Sequence, residues 1–234
     1  MAGSVVSLIV TDGVAELRVD SPPVNTIDAG VRRDLNAALD ALALRADVQA
    51  VALTCAGSTF FSGADIGEFS GPPQEAAYHA LFGRLEQLPV PVVAGMHGMV
   101  LGGGLEIALA CHYRVALAGT RFGFPEVTLG IIPGAGGTQR MPRLIGIAQT
   151  LDLVISARPV DAAVGVQAGF IDAIVDGDIR ESTLAYARSL ILRGEGPRRS
   201  CDRIVEPAAA ASGVLDAARD RARKQYPHRT AALR

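Results

Sequence analysis

Apolar residues in this chain change period several times, and the changes mark its elements. Residues 5–10 and Val14–Val19 are valine-rich runs on either side of Asp12-Gly13, a dipeptide suited to the positive φ angles of a tight turn. The chain is therefore predicted to open with a β-hairpin. Val31, Leu35, Ala38, Leu39 and Leu42 then recur on one helical face, and residues 48–54 read as a buried strand ending in Cys55-Ala56-Gly57-Ser58. Ala77, Leu81, Leu85 and Leu88 mark a second amphipathic helix, which Pro89 and Pro91 stop. Val92-Val93-Ala94 leads as a strand into a glycine run, a helix is expected to start near Gly103, and residues 114–118 read as the next strand. Strands alternating with helices at this spacing predict an α/β fold with a parallel, twisted sheet.

From Pro142 onward the pattern becomes helical: residues 148–156, residues 161–168, and a longer helix with Leu184, Ala187 and Ile191 on one face. The stretch 193–199 is rich in Gly, Pro and Arg, and Pro207 precedes residues 208–211, so a boundary or hinge is expected there. That divides the chain into an α/β core with the first C-terminal helices at 1–193 and a helical segment at 194–234. No internal repeat is found.

With 234 residues, 49% of them hydrophobic, the chain can bury a substantial core. The net charge of −2 favours neither nucleic acid nor an anionic membrane as partner. Cys55, Cys111 and Cys201 are odd in number and outside any CxxC pattern, which argues against a disulfide framework or a structural zinc and fits a reducing cytoplasm. The N-terminus has no basic region ahead of an apolar one. The most apolar stretch, 88–101, is broken by Pro89, Pro91, Gly95, His97 and Gly98, so neither a signal peptide nor a membrane span is expected.

Two glutamates are the candidate chemistry. Glu106 follows Gly102-Gly103-Gly104, and Glu126 lies between Gly123 and Gly130, directly after Pro125. Glycines after a strand let backbone approach a ligand, and a helix starting at Gly103 would aim free N–H groups at an anion. A tight strand-to-helix turn would also need these glycines, and a glutamate at the third helical position can cap its own helix. The turn Ser62-Gly63-Ala64-Asp65-Ile66 is placed to supply a second amide, although Asp65 also suits a helix N-cap. In Pro133-Gly134-Ala135-Gly136-Gly137 the first two glycines of a dinucleotide loop are present, but Gln139 stands at the third. His112 beside Cys111 lacks metal-ligand spacing, so His97 and His112 read as hydrogen-bonded structural residues and no metal is expected.

These motifs resemble the crotonase, or enoyl-CoA hydratase/isomerase, superfamily over residues 6–175. The matching runs are Phe61-Ser62-Gly63-Ala64-Asp65-Ile66, Leu101-Gly102-Gly103-Gly104-Leu105-Glu106, Pro125-Glu126 and the stretch from Leu129 to Gly137-Thr138-Gln139-Arg140. The form from His97-Gly98 to Arg114 is most similar to the hydratase half of bacterial multifunctional fatty-acid oxidation enzymes. The resemblance implies a spiral of ββα units with a mainly helical C-terminal part. It implies that the amides of Ala64 and Gly103 bind a thioester oxygen, and that Ser62, Gly63, Ala64, Asp65, Ile66 and Gly67 wrap coenzyme A, with Gly102, Gly103, Pro125 and Gly134 also lining the substrate.

Glu106 and Glu126 would then flank the acyl carbons, one activating water and the other delivering a proton. Dedicated isomerases often keep only the second, so hydration of a 2-enoyl-CoA is favoured over isomerisation. No permanently bound cofactor is implied, and a homotrimer or hexamer is. Rival readings are a hydrolase using Ser62, for which no GxSxG elbow is present, and a module that binds acyl-CoA without turnover. Arg198, Arg199, Arg203, Arg219, Arg221, Arg223 and Lys224 have no interleaved aromatics for base stacking; they read as a solvated helix face or as contacts for coenzyme A phosphates.

Overall fold

The computed structural model describes residues 3–72, 74–205 and 212–228. Pro207 and residues 208–211 lie outside the described residues. Strands β1 (Val6–Thr11) and β2 (Val14–Val19) pair antiparallel across Asp12 and Gly13, whose φ angles of 51° and 77° are those the turn requires. Helix α1 (Ala29–Ala43), capped by the Asp28 side chain on the Val31 N–H, leads to β3 (Ala50–Cys55). Helix α2 (Glu75–Glu86) precedes β4 (Val92–Met96), β5 (Met99–Leu101), α3 (Gly103–Ala110), β6 (Tyr113–Leu117) and β7 (Arg121–Gly123). Helices α4 (Gly137–Ile145) and α5 (Ile147–Ser156) follow, then β8 (Val160–Asp161), α6 (Ala162–Ala168), β9 (Ala173–Val175), α7 (Ile179–Arg193) and α8 (Ser212–Gln225).

The larger sheet runs β1-β2-β3-β4-β6-β9, parallel throughout except for the opening hairpin, and β5-β7-β8 form a second sheet. After β4 and again after β6 the chain lays its next strand in the smaller sheet and then turns into helix. That repeated strand, strand, helix step makes the ββα spiral.

Alternation along the buried strands explains why both faces of the large sheet are covered. Leu17, Val19, Val51, Leu53, Cys55, Val92, Ala94 and Met96 point into the main core with α1, α2 and α3. Val14, Ala50, Ala52, Val93 and Val115 point the other way, against Ala187 and Leu190 of α7. That second face is built from small side chains because α7 lies so close. A Cβ at Gly95 would run into the Thr183 side chain, so β4 needs glycine there. Glu16 and Thr54 share this face and are satisfied: Arg180 of α7 grips Glu16 with two 2.7 Å bonds, and the Thr54 hydroxyl donates to it at 2.9 Å.

Several expectations need correction. The second sheet was not expected, because strands of two or three residues are too short to show a period of two. On α2, Ala77 is exposed, and Tyr78, Leu81, Phe82 and Leu85 form the buried face; Leu88 lies beyond the helix end. Helix α4 starts at Gly137 and contains Pro142 rather than beginning there. In the stretch 193–199, where a boundary or hinge is expected, two arginines bond to the core. Arg198 pairs with Asp172 and lies 4.6 Å over the Tyr113 ring, while Arg199 donates to the carbonyls of Glu86 and Leu88. Helix α8 packs on α5 through Ala218, Ala222 and Ile155, and its arginines pair at the surface with Asp216, Asp220 and Asp152. Among the described residues no helix is long and apolar enough to cross a membrane.

Candidate active site

The site forms where the loop after β3 meets the turn between β5 and α3. Gly102 carries the chain through φ 49° and ψ −123°, a conformation that side chains resist, and a Cβ there would stand 2.8 Å from Glu126 Oε1. One residue into the helix, a Cβ on Gly104 would collide with the Phe61 carbonyl. These glycines are therefore required for close approach of two loops, and that approach brings two amides together. A Cβ built on Gly103 lies 3.1 Å from the Ala64 nitrogen. Gly103 opens α3, so its N–H has no intrahelical acceptor. Neither it nor the Ala64 N–H is spent on a backbone acceptor among the described residues. Ala64 is held from behind, where Ile27 N–H donates to the Gly63 carbonyl at 2.8 Å.

Glu106 lies one turn into α3 and does not cap its own helix. Its Oε1 accepts the N–H groups of Ala135 at 2.8 Å and Gly137 at 2.7 Å. The glycine loop at 133–137, which carried part of a dinucleotide pattern, thus turns its amides onto a carboxylate. Glu106 is only 2% exposed. Burial pushes its proton affinity up to about 7 even though the two amides and Arg140 pull it down.

Glu126 begins the short 3-10 turn Glu126–Leu129, which Pro125 leads and Gly130 ends in the left-handed region. It is 8% exposed, and its Oε2 is buried with no hydrogen-bond partner among the described residues. Burial, then the Glu106 charge, raise its pKa to about 8. Two carboxyls of one residue type, both raised by burial, are thus held by different hydrogen bonds beside two unspent amides.

The other expected residues fall around this centre. Asp65 caps the short 3-10 turn Ile66–Ser70, accepting from the Gly67 N–H at 2.9 Å. Ile66 and Gly67 are exposed and Ser62 is partly so, leaving the 62–67 loop open to a ligand. Gly134 is exposed, with the Glu75 side chain as its near neighbour. His112 accepts from the Val92 N–H with Nδ1 and bonds the Glu86 carbonyl through Nε2, and His97 bonds the Gly57 carbonyl. Both are structural histidines. Among the described residues, no group of three or more His, Cys, Asp or Glu is placed to hold a metal ion. Clefts of about 670 Å³ beside the hairpin and α7, and about 410 Å³ beside α5, α6 and α8, include neither carboxylate.

Residues 10–200 match the model of the enoyl-CoA hydratase/isomerase family. The chain belongs to the enoyl-CoA hydratase/isomerase family. It is 36% identical over 217 residues to the peroxisomal bifunctional enzyme of Cavia porcellus, a match that covers 92% of this chain and 30% of that one. The chain thus spans about a third of the length of such relatives. A Bacillus subtilis (strain 168) protein described as "Probable enoyl-CoA hydratase" is 38% identical over 173 residues, 71% of this chain and 67% of that one. The crystal structure of an enoyl-CoA hydratase from Bacillus anthracis superposes with a TM-score of 0.75 at 31% identity, covering 80% of this chain and 76% of that one. The ββα spiral is therefore the fold of the hydratase/isomerase family. Unforeseen in the sequence were the supports of Glu106: Ala135, Gly137, Arg140 and Glu86. Arg140 stood within a motif, but Glu86 lies 54 positions from it and looked like the polar side of an ordinary helix.

Proposed function

We propose that this chain adds water across the 2,3 double bond of a 2-enoyl-CoA thioester. The observation that carries this reading is the unequal pair of buried carboxyls beside the free amides of Ala64 and Gly103. With the thioester oxygen on those two N–H groups, charge that builds there during attack meets preorganised donors. Glu106, whose Oε1 is held by two amides, ionises first and serves as base: it takes a proton from water as the oxygen bonds to C3. Glu126, with the higher proton affinity and an unbonded oxygen, keeps its proton near neutral pH and delivers it to C2. The pair then exchanges protons with solvent to reset.

The partly exposed 62–67 loop supports contacts to the coenzyme A moiety, and the substrate and water suffice without a resident cofactor. Exposed Leu129, Ile131 and Ile132 beside the Glu126 turn support self-association as a trimer or hexamer. Three free cysteines, two of them buried, support a reducing cytoplasmic setting. Isomerisation of a 3-enoyl thioester is the second reading, since Glu126 alone can take a proton from C2 and return it to C4.

The test is direct. On addition of protein, the absorbance of a conjugated 2-enoyl-CoA should fall as the 3-hydroxy product forms. Tight binding with unchanged absorbance would favour a non-catalytic acyl-CoA module, and conversion of 3-enoyl to 2-enoyl substrate without hydration would favour an isomerase.

A further inference from the structure

The loop that holds Glu106 is itself held. Arg140 on α4 donates from Nη1 to the Ala135 carbonyl at 3.1 Å, so it holds the residue whose own N–H meets Glu106. Gly136 sits at φ 108°, and a Cβ there would collide with the guanidinium, so the loop is wrapped closely on Arg140. The other edge of the guanidinium grips Glu86 Oε2, from Nε at 3.0 Å and Nη2 at 2.9 Å. Glu86 is buried on α2, and its second oxygen accepts the Ser200 hydroxyl at 2.5 Å and the Cys201 N–H at 3.1 Å. Burial opposes its charge, but the bonds from Ser200, Arg140 and Cys201 win and hold it below the ordinary carboxylate range. A continuous line of bonds therefore runs from Ser200 through Glu86 and Arg140 to the Ala135 carbonyl, in the loop whose amides hold Glu106.

A buried ion pair is a poor way to stabilise a fold, because desolvation offsets most of the attraction. Placed here it does something an apolar pair would not: it sets one cation at a fixed remove from the carboxyl that binds water. Few other charges face Glu106. Helix α4 brings Arg140, while its Arg143 donates to the Gln139 carbonyl; α2 brings Glu86, while its Glu75 and His79 are exposed; the 3-10 turn brings Glu126, and β5 brings no ionisable side chain. Arg84 of α2 points away, to Asn36 and Asp40 on α1.

The geometry points to Arg140, anchored by Glu86, as the positioning residue that keeps the Ala135 and Gly137 amides on Glu106 and holds its carboxyl ready to ionise. This rests on Glu106 acting as the base proposed above. Arg140 does not touch the reacting atoms; it acts through the loop and through its charge.

The test follows the Glu106 carboxyl by ¹³C NMR titration of protein labelled at glutamate, with Glu106→Gln used to assign the signal. Arg140→Gln removes the cation and leaves Glu86 unpaired, so the Glu106 midpoint should rise by about one pH unit. Glu86→Gln leaves the cation uncompensated, so the midpoint should fall. Loosened packing alone would not drive the two variants in opposite directions. Arg140→Lys keeps the charge but loses the fork on Ala135 and Glu86. Its midpoint should stay nearer wild type while kcat drops about 10–100-fold with little change in KM. A folded Arg140→Gln protein with a wild-type Glu106 midpoint would overturn the assignment; should that variant not fold, an unmoved or raised midpoint in Glu86→Gln would do so. Opposite shifts in a protein that hydrates no enoyl-CoA would support the positioning role and remove the hydratase reading instead.

Discussion

Glu106 and Glu126 stand on either side of one glycine turn and are kept in opposite ways. Glu106 is wired: two amides grip one oxygen, Arg140 grips the loop that supplies them, and Glu86 grips Arg140. Glu126 is held loosely: one oxygen lies buried without a partner, its own backbone N–H is the amide that acts on the carboxyl, and the Glu106 charge raises its proton affinity. Burial raises both above the ordinary carboxyl range; the two amides and Arg140 oppose that rise at Glu106, whereas the Glu106 charge adds to it at Glu126. On the proposed reading, one fold makes a base and an acid from the same residue type by changing the hydrogen bonds offered to each carboxylate.

The largest effects should come from removing either proton carrier. Glutamine keeps the shape but exchanges no proton, so Glu106→Gln and Glu126→Gln should each lower hydration about 10²–10⁴-fold with substrate binding largely intact. The comparison sharpens with a 3-enoyl substrate, whose isomerisation moves a proton and needs no water. Glu126→Gln should depress that reaction more than Glu106→Gln does. Steady-state rates and binding by calorimetry on folded variants check both points, and wild-type hydration in either variant would break the division of labour.

A smaller effect should appear in stability. A carboxyl whose folded pKa lies above its unfolded value of about 4.5 binds more protons in the native state across the interval between the two. Stability therefore falls as pH rises through that window. For Glu126 the window runs from about 4.5 to about 8. Glu126→Gln should match wild type below it and exceed wild type by several kcal/mol, up to about 5, above pH 8. Urea unfolding at both ends of the range measures this, and a difference that does not grow with pH would mean that Glu126 is not buried as described.

Much of the centre was legible in the sequence, because its parts are local. The turn at Gly102 and the start of α3 follow from three glycines beside an apolar run, and the parallel core follows from alternating Val, Leu and Ala on β2, β3 and β4. The small sheet was not legible, since β8 has only two residues and pairs through β7 with a distant segment. Nor was the wiring of Glu106. Arg140 and Glu86 meet across 54 positions of chain, and the 133–137 loop gave a phosphate-like signal although its amides serve an internal carboxylate. The capping reading of Glu106 failed for a related reason: its carboxylate accepts instead from the Ala135 and Gly137 amides, donors that only tertiary folding brings near.

The unequal carboxyls are tested most directly by the pH dependence of hydration kcat/KM in the wild-type protein. An ionised Glu106 and a protonated Glu126 coexist best between their two values, so the profile should be a bell with its maximum between about 7 and 8. On either side the rate should fall toward tenfold per pH unit. A rate that stays level from pH 5 to pH 10 in folded protein would contradict the assignment of base to Glu106 and acid to Glu126.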